Sequence, residues 1–136
     1  MFNRRRVVSC AICAAIGSVA TGVAGDAQAQ SAFTRRVIQK TEYPGEKYVC
    51  ILMEVDLDPN AIVARHTHPG VESGYQLAGT TTLSVQGQPD RVLKVGDGYQ
   101  IPPETAHSVR NGAEKSRLAA TFIVEKDKPL ASPAPE

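Results

Sequence analysis

His66-Thr67-His68-Pro69-Gly70-Val71-Glu72 carries the densest chemistry in this 136-residue chain. On an extended strand, residues two apart point to the same side with Cβ atoms about 6.5 Å apart, a separation from which two imidazole rings can converge on one ion, although ordinary surface histidines show the same alternation. On a helix the same pair diverges. Pro69-Gly70 ends the strand, and Glu72 is expected to open a returning strand with its carboxylate beside the rings. His107 lies far beyond Glu72 in the chain and joins the group only if the sheet curls back on itself, as a barrel does.

The rest of the chain agrees with an all-β reading. Short β-type runs cover 34–42, 47–57, 62–68, 72–77, 80–86, 91–95, 99–101, 106–111 and 117–124, separated by Pro-, Gly- and Asn-rich turns. Many short strands with regular turns predict a sandwich or a closed barrel. In the second run Val49, Ile51, Met53, Val55 and Leu57 alternate with Tyr48, Cys50, Leu52, Glu54 and Asp56, so the first set is expected to be buried. The run 117–124 is apolar on both faces and reads as a strand between two layers. Residues 126–136 hold three prolines and several charges, which predicts a loose tail.

Fifteen basic side chains oppose fourteen acidic ones, but Arg4, Arg5 and Arg6 supply three of the former. A weakly apolar run over 7–25 follows them, then Ala27-Gln28-Ala29, the order of parts in a secretory signal cleaved after Ala29. An arginine pair before Val7-Val8 also fits a twin-arginine signal, so both the general (Sec) and the twin-arginine routes stay open. The mature protein is expected to be periplasmic or secreted in a bacterium, without stable membrane insertion. Cys10 and Cys13 leave with the signal, and Cys50 is expected to be a buried free thiol. Without residues 1–29, twelve basic residues face thirteen acidic ones. This near-neutral balance, with no DNA-binding segment, excludes a nucleic-acid partner.

Two spaced patterns carry a family resemblance. Asn60-x5-His66-x-His68-x3-Glu72-x6-Gly79 resembles the first cupin motif, with Asn60 in place of its first glycine. Gly96-x5-Pro102-x-Glu104-x2-His107-x3-Asn111 resembles the second, with Glu104 where glycine is usual. Asn tolerates the left-handed backbone a glycine supplies, whereas a Glu there costs about 1 kcal/mol if the geometry is kept. The resemblance spans most of the chain after residue 46. It implies a small single-domain cupin, all-β, with a double-stranded β-helix (jelly-roll) barrel over 47–125, after a signal at 1–29 and an N-terminal strand or arm at 30–46, and before a flexible tail at 126–136.

In such proteins the motif histidines and glutamate hold a metal. Carried over, the ligands are His66, His68, Glu72 and His107. Three imidazoles and one carboxylate suit one divalent ion of Fe, Mn, Ni, Co, Zn or Cu, with small-molecule access through the barrel lumen. Glu72 is the candidate catalytic base. Gln76 shares its face and is a candidate substrate contact, unless a register shift turns it outward. The function expected is that of a metal-dependent oxygenase, lyase or isomerase acting on a small oxygen-rich molecule. The alternative is a noncatalytic metal- or small-molecule-binding protein of the cell envelope. The run 34–42 could pair with the sheet edge of a second copy, giving a homodimer.

Overall fold

The computed structural model describes residues 32–42, 45 and 47–135; the segment 1–29 expected to be an export signal, with Cys10 and Cys13, lies outside them. Alternation of apolar and polar residues between turn signals becomes ten strands: β1 (Phe33–Glu42), β2 (Tyr48–Leu57), β3 (Ile62–Thr67), β4 (Gly70–Ala78), β5 (Thr81–Val85), β6 (Arg91–Leu93), β7 (Gly98–Ile101), β8 (His107–Asn111), β9 (Ser116–Glu125) and β10 (Ser132–Pro133). They form two five-stranded antiparallel sheets, one ordered β1-β2-β9-β4-β7 and the other β10-β3-β8-β5-β6. The chain passes repeatedly from one sheet to the other, which makes a jelly-roll barrel with one core between the sheets. Among the described residues no helix is long and apolar enough to cross a membrane.

Strand parity sets the core. On β2, Val49, Ile51, Met53 and Leu57 are buried and Val55 is partly so, as the alternation predicts. On β9, Leu118, Ala120, Phe122 and Val124 point inward, but Ile123 on the other face is exposed. That strand is central within its sheet, between β2 and β4, rather than covered on both faces as its composition suggested. Cys50 is only half-buried, because it sits on the outer face of the same sheet.

The apolar core divides into two clusters. One gathers Leu57, Val63, Leu83, Leu93, Tyr99 and Ile101 with their neighbours, and the other Val49, Ile51, Met53, Ala120, Phe122 and Val124. Leu130, from the segment expected to be a loose tail, packs against the second cluster. Beyond it, Ser132 and Pro133 pair with Thr67 and His66. A proline can occupy such an edge strand because its missing donor faces away from the ladder.

Both motif substitutions keep the turn geometry of the glycines they replace. Asn60 has φ 60° and Glu104 φ 55°. The Glu104 N–H donates to the carbonyl of His68 at 2.9 Å, so the strained loop is tied to a ligand-bearing segment. Asn111 explains its own motif position: its buried amide donates to the carbonyls of Asp58 (2.7 Å), Glu114 (2.8 Å) and Leu57 (3.2 Å), pinning the loops at one end of the barrel.

Candidate metal centre

His66 and His107 are Cα partners across β3 and β8, so their rings rise side by side from one sheet. A register irregularity between Val63 and His66 precedes them. His68 lies just past the end of β3. Glu72 does not return alongside β3: its strand, β4, belongs to the opposite sheet and pairs with β9 and β7. The chain crosses the barrel within two residues, His68 and Pro69, and the carboxylate faces the imidazoles across the interior. Gly70 permits this crossing, since a Cβ there would overlap the carbonyl oxygen of Ile123 on β9.

The three imidazoles converge. Ring centroids are 4.3 Å apart for His66 and His107, 4.8 Å for His66 and His68, and 5.1 Å for His68 and His107. One ring nitrogen from each lies within 4.8 Å of the others, and all three residues are buried. Each Nδ1 faces a backbone carbonyl: Ala64 at 2.7 Å for His66, Leu130 at 2.6 Å for His68 and Thr105 at 2.9 Å for His107. A carbonyl only accepts, so each Nδ1 carries the proton, and in the neutral ring the Nε2 lone pair is left for an ion.

Glu72 completes the cluster through both oxygens. Its Oε1 accepts from the Tyr99 hydroxyl at 2.8 Å. Its Oε2 lies 3.0 Å from His68 Nε2 and 3.1 Å from His107 Nε2. His68 Nε2 is fully buried and makes no hydrogen bond. Lone pairs of two neutral imidazoles and a carboxylate at this separation repel one another unless a cation lies between them. Adjacent ligands bonded at about 2.1 Å to one ion sit roughly 3 Å apart at right angles, so the spacing suits a shared metal.

The site's electrostatics agree. Burial pushes the His66 imidazole down to about 4, favouring the neutral ring that a metal requires. For Glu72, burial alone would raise the pKa, but the facing His107 and His68 rings, when protonated at Nε2 in the absence of an ion, and the Tyr99 hydroxyl outweigh it and hold the carboxyl below its usual range. The Tyr99 phenol is raised by burial and by the neighbouring Glu72 charge, so it stays a donor.

The four polar groups line a cavity where the two apolar clusters meet, with Tyr99 from one and Phe122 from the other. About 40 Å³ of it is open to the centres of water-sized molecules, room for roughly three waters or the reacting end of a small ligand. Gln76 does not line it. This glutamine does point inward and is completely buried, but its amide donates to the Ala78 carbonyl at 2.7 Å and accepts from Thr81 Oγ1 at 2.9 Å. It fastens the β4–β5 turn. Three contributors escaped the sequence reading: Tyr99, the Leu130 carbonyl and Arg35, which lines the cavity from β1. For Tyr99 a signal existed in Gly74, two residues after Glu72, since a Cβ there would overlap the Tyr99 ring.

A family model described as Cupin domain matches residues 53–124, more than half of the chain. The chain belongs to the cupin domain family. No curated protein matches it. Among solved structures, this cupin is similar to KdgF from Halomonas sp., with 21% identity, TM-score 0.61 and coverage of 73% of this chain and 84% of the other. A cupin-like protein from Thermotoga maritima is 23% identical, with TM-score 0.60 and coverage of 75% and 78%. The DMSP lyase DddQ from Ruegeria pomeroyi is 17% identical, with TM-score 0.58 over 65% of this chain and 52% of that one. This cupin thus spans about half of that lyase, and at these identities the likeness shows the double-stranded β-helix fold.

Proposed function

We propose that this cupin is an exported metal-dependent enzyme, an oxygenase, lyase or isomerase, acting on a small oxygen-rich molecule. In this reading His66, His68, Glu72 and His107 hold one divalent transition-metal ion. The observation that carries it is the arrangement of protons: all three Nδ1–H groups are committed to backbone carbonyls, which aims the Nε2 atoms of His68 and His107 at one carboxylate oxygen.

A divalent ion held there would supply Lewis-acid polarisation of a substrate oxygen. The remaining work falls to the chain. Glu72, anchored through Oε1 by Tyr99, keeps Oε2 on the ligand side, where it can exchange its ligand role for that of proton acceptor. Apolar walls from Val55, Leu57, Val63, Val109 and Phe122 restrict water and strengthen each charge interaction inside.

Two further parts belong to the same proposal. Export rests on the order of Arg4-Arg5-Arg6, the run 7–25 and Ala27-Gln28-Ala29. A homodimer is supported by β1, which pairs with β2 on one side, ends its sheet on the other and exposes Val37 and Ile38.

The test is a turnover screen of metal-loaded protein against small hydroxy and keto acids, following oxygen uptake and elimination products, with Glu72→Gln alongside. Turnover by the wild type and its loss in E72Q support the enzyme reading. Metal and ligand both bound without turnover contradict it and leave a binding protein.

A further inference from the structure

We propose that Arg35 is the anion-binding residue of this site and that its ligand is a small carboxylic acid, admitted through a groove between β1 and β3. The inference rests on the metal reading above and adds the substrate class.

Arg35 is the Cα partner of Val55 on β2, whose side chain packs toward the core, so register brings Arg35 to the inward face. There it lines the same cavity as His66, His68, Glu72 and His107. It also lines a larger outer groove with about 400 Å³ open to water-sized molecules, whose walls come from β1, β3 and β10. Arg35, Val63 and His66 belong to both spaces. The outer groove therefore leads to the imidazoles, and Arg35 stands at the junction.

The charges favour an anion. Arg35 and Arg65 are the charged side chains of the outer groove, which no carboxylate lines. A divalent ion with the Glu72 carboxylate and three neutral imidazoles leaves one positive charge, and Arg35 adds a second. The guanidinium lies over the Phe33 ring, 4.9 Å from its centroid, which holds one face and leaves the N–H fork free for a planar, two-oxygen partner. Carboxylate has that shape. The neighbouring Arg36 is neutralised by Glu54 at 2.9 Å and Arg117 by Asp56 at 2.7 Å, whereas Arg35 forms no ion pair among the described residues. It also lies outside the span matched by the family model.

The inner cavity accommodates only one end of a molecule, so a two-ended ligand with one oxygen group inward and a carboxylate at Arg35 fits the two spaces together. Malonate and succinate are suitable probes, their diamides the neutral controls and inorganic phosphate the tetrahedral comparison. Cobalt(II) is loaded into wild type, Arg35→Gln and Arg35→Lys, its content is measured, and each probe is titrated against the visible cobalt spectrum. The expected result is equal cobalt in all three proteins, a dicarboxylate affinity at least about tenfold weaker in R35Q, partial recovery in R35K and diamide affinities unchanged. Equal dicarboxylate affinity in wild type and R35Q, or a wild-type spectrum that neither dicarboxylate alters, overturns the role of Arg35. Phosphate binding that is tighter than dicarboxylate binding and dependent on Arg35 overturns the carboxylate class. Wild-type protein that retains neither cobalt nor any of Mn(II), Fe(II), Ni(II), Cu(II) and Zn(II) offered in its place overturns the metal reading and this inference together.

Discussion

The carbonyl of Leu130 accepts a hydrogen bond from His68 Nδ1 at 2.6 Å, across 62 positions of sequence. The C-terminal segment thereby fixes the ring orientation and tautomer of a ligand candidate, and β10 holds that segment to β3. Deleting residues 128–136 is expected to leave the barrel folded, because the family-defining strands end before it. Metal affinity should fall by roughly 10–100-fold, the usual consequence of losing a hydrogen bond behind a ligand. Competition with a chromophoric chelator, alongside circular dichroism, measures both; unchanged affinity would remove the role given to Leu130.

Tyr99 and Gly74 form a second supporting pair. Tyr99→Phe removes the donor to Glu72 Oε1 and should cost about 1–3 kcal/mol, because the carboxylate oxygen stays buried. Gly74→Ala should be at least as damaging, since its methyl overlaps the Tyr99 ring and must displace the phenol from Glu72. Denaturant unfolding of both variants without metal gives the comparison. A G74A protein as stable as wild type would contradict the close fit described here.

Metal-free protein should lose stability in acid over a defined window. Burial lowers the His66 pKa in the folded chain to about 4, against an ordinary value of 6.5. Its contribution is therefore present above about pH 6.5 and is lost as pH falls toward 4, where the unfolded chain binds the proton more readily. Glu72, held below its usual range, adds a loss at still lower pH, beginning below its ordinary 4.5. Urea midpoints from pH 7.5 to 3.5 test this, and a His66→Gln variant should flatten the upper part of the curve.

Glu104 holds φ at 55° on an exposed loop. Glu104→Gly should relieve left-handed strain and raise stability by about 1 kcal/mol or less, because glycine's larger unfolded-state freedom offsets part of the gain. Metal content should not change. A destabilised E104G would mean that the side chain makes a contribution the loop geometry does not reveal.

The strands were legible in sequence because parity and turn residues are short-range rules, and the four polar residues because two motifs resemble those of a known family. Strand parity placed Val49, Ile51 and Met53 inside, and the resemblance to the two cupin motifs implied His66, His68, Glu72 and His107. The path of Glu72 was misjudged, since Pro69-Gly70 announces a break but not whether the next strand joins the same sheet. Parity also put Gln76 on the inner face without fixing its depth along the barrel, and its partners proved to be the local turn. Leu130 offered no signal at all, because every residue has a carbonyl. Arg35 was hidden for a related reason: only the pairing of β1 with β2 turns one exposed arginine inward and its neighbour Arg36 out.

Metal content after loading and desalting tests for a single metal centre built by three histidines and Glu72. Mn(II), Fe(II), Ni(II), Co(II), Cu(II) and Zn(II) are offered separately to wild type, His68→Ala and His107→Ala. About one equivalent of at least one metal is expected to stay with wild type and most of it to be lost in both variants. Wild type that retains none of the six, or variants that retain as much as wild type, would contradict it.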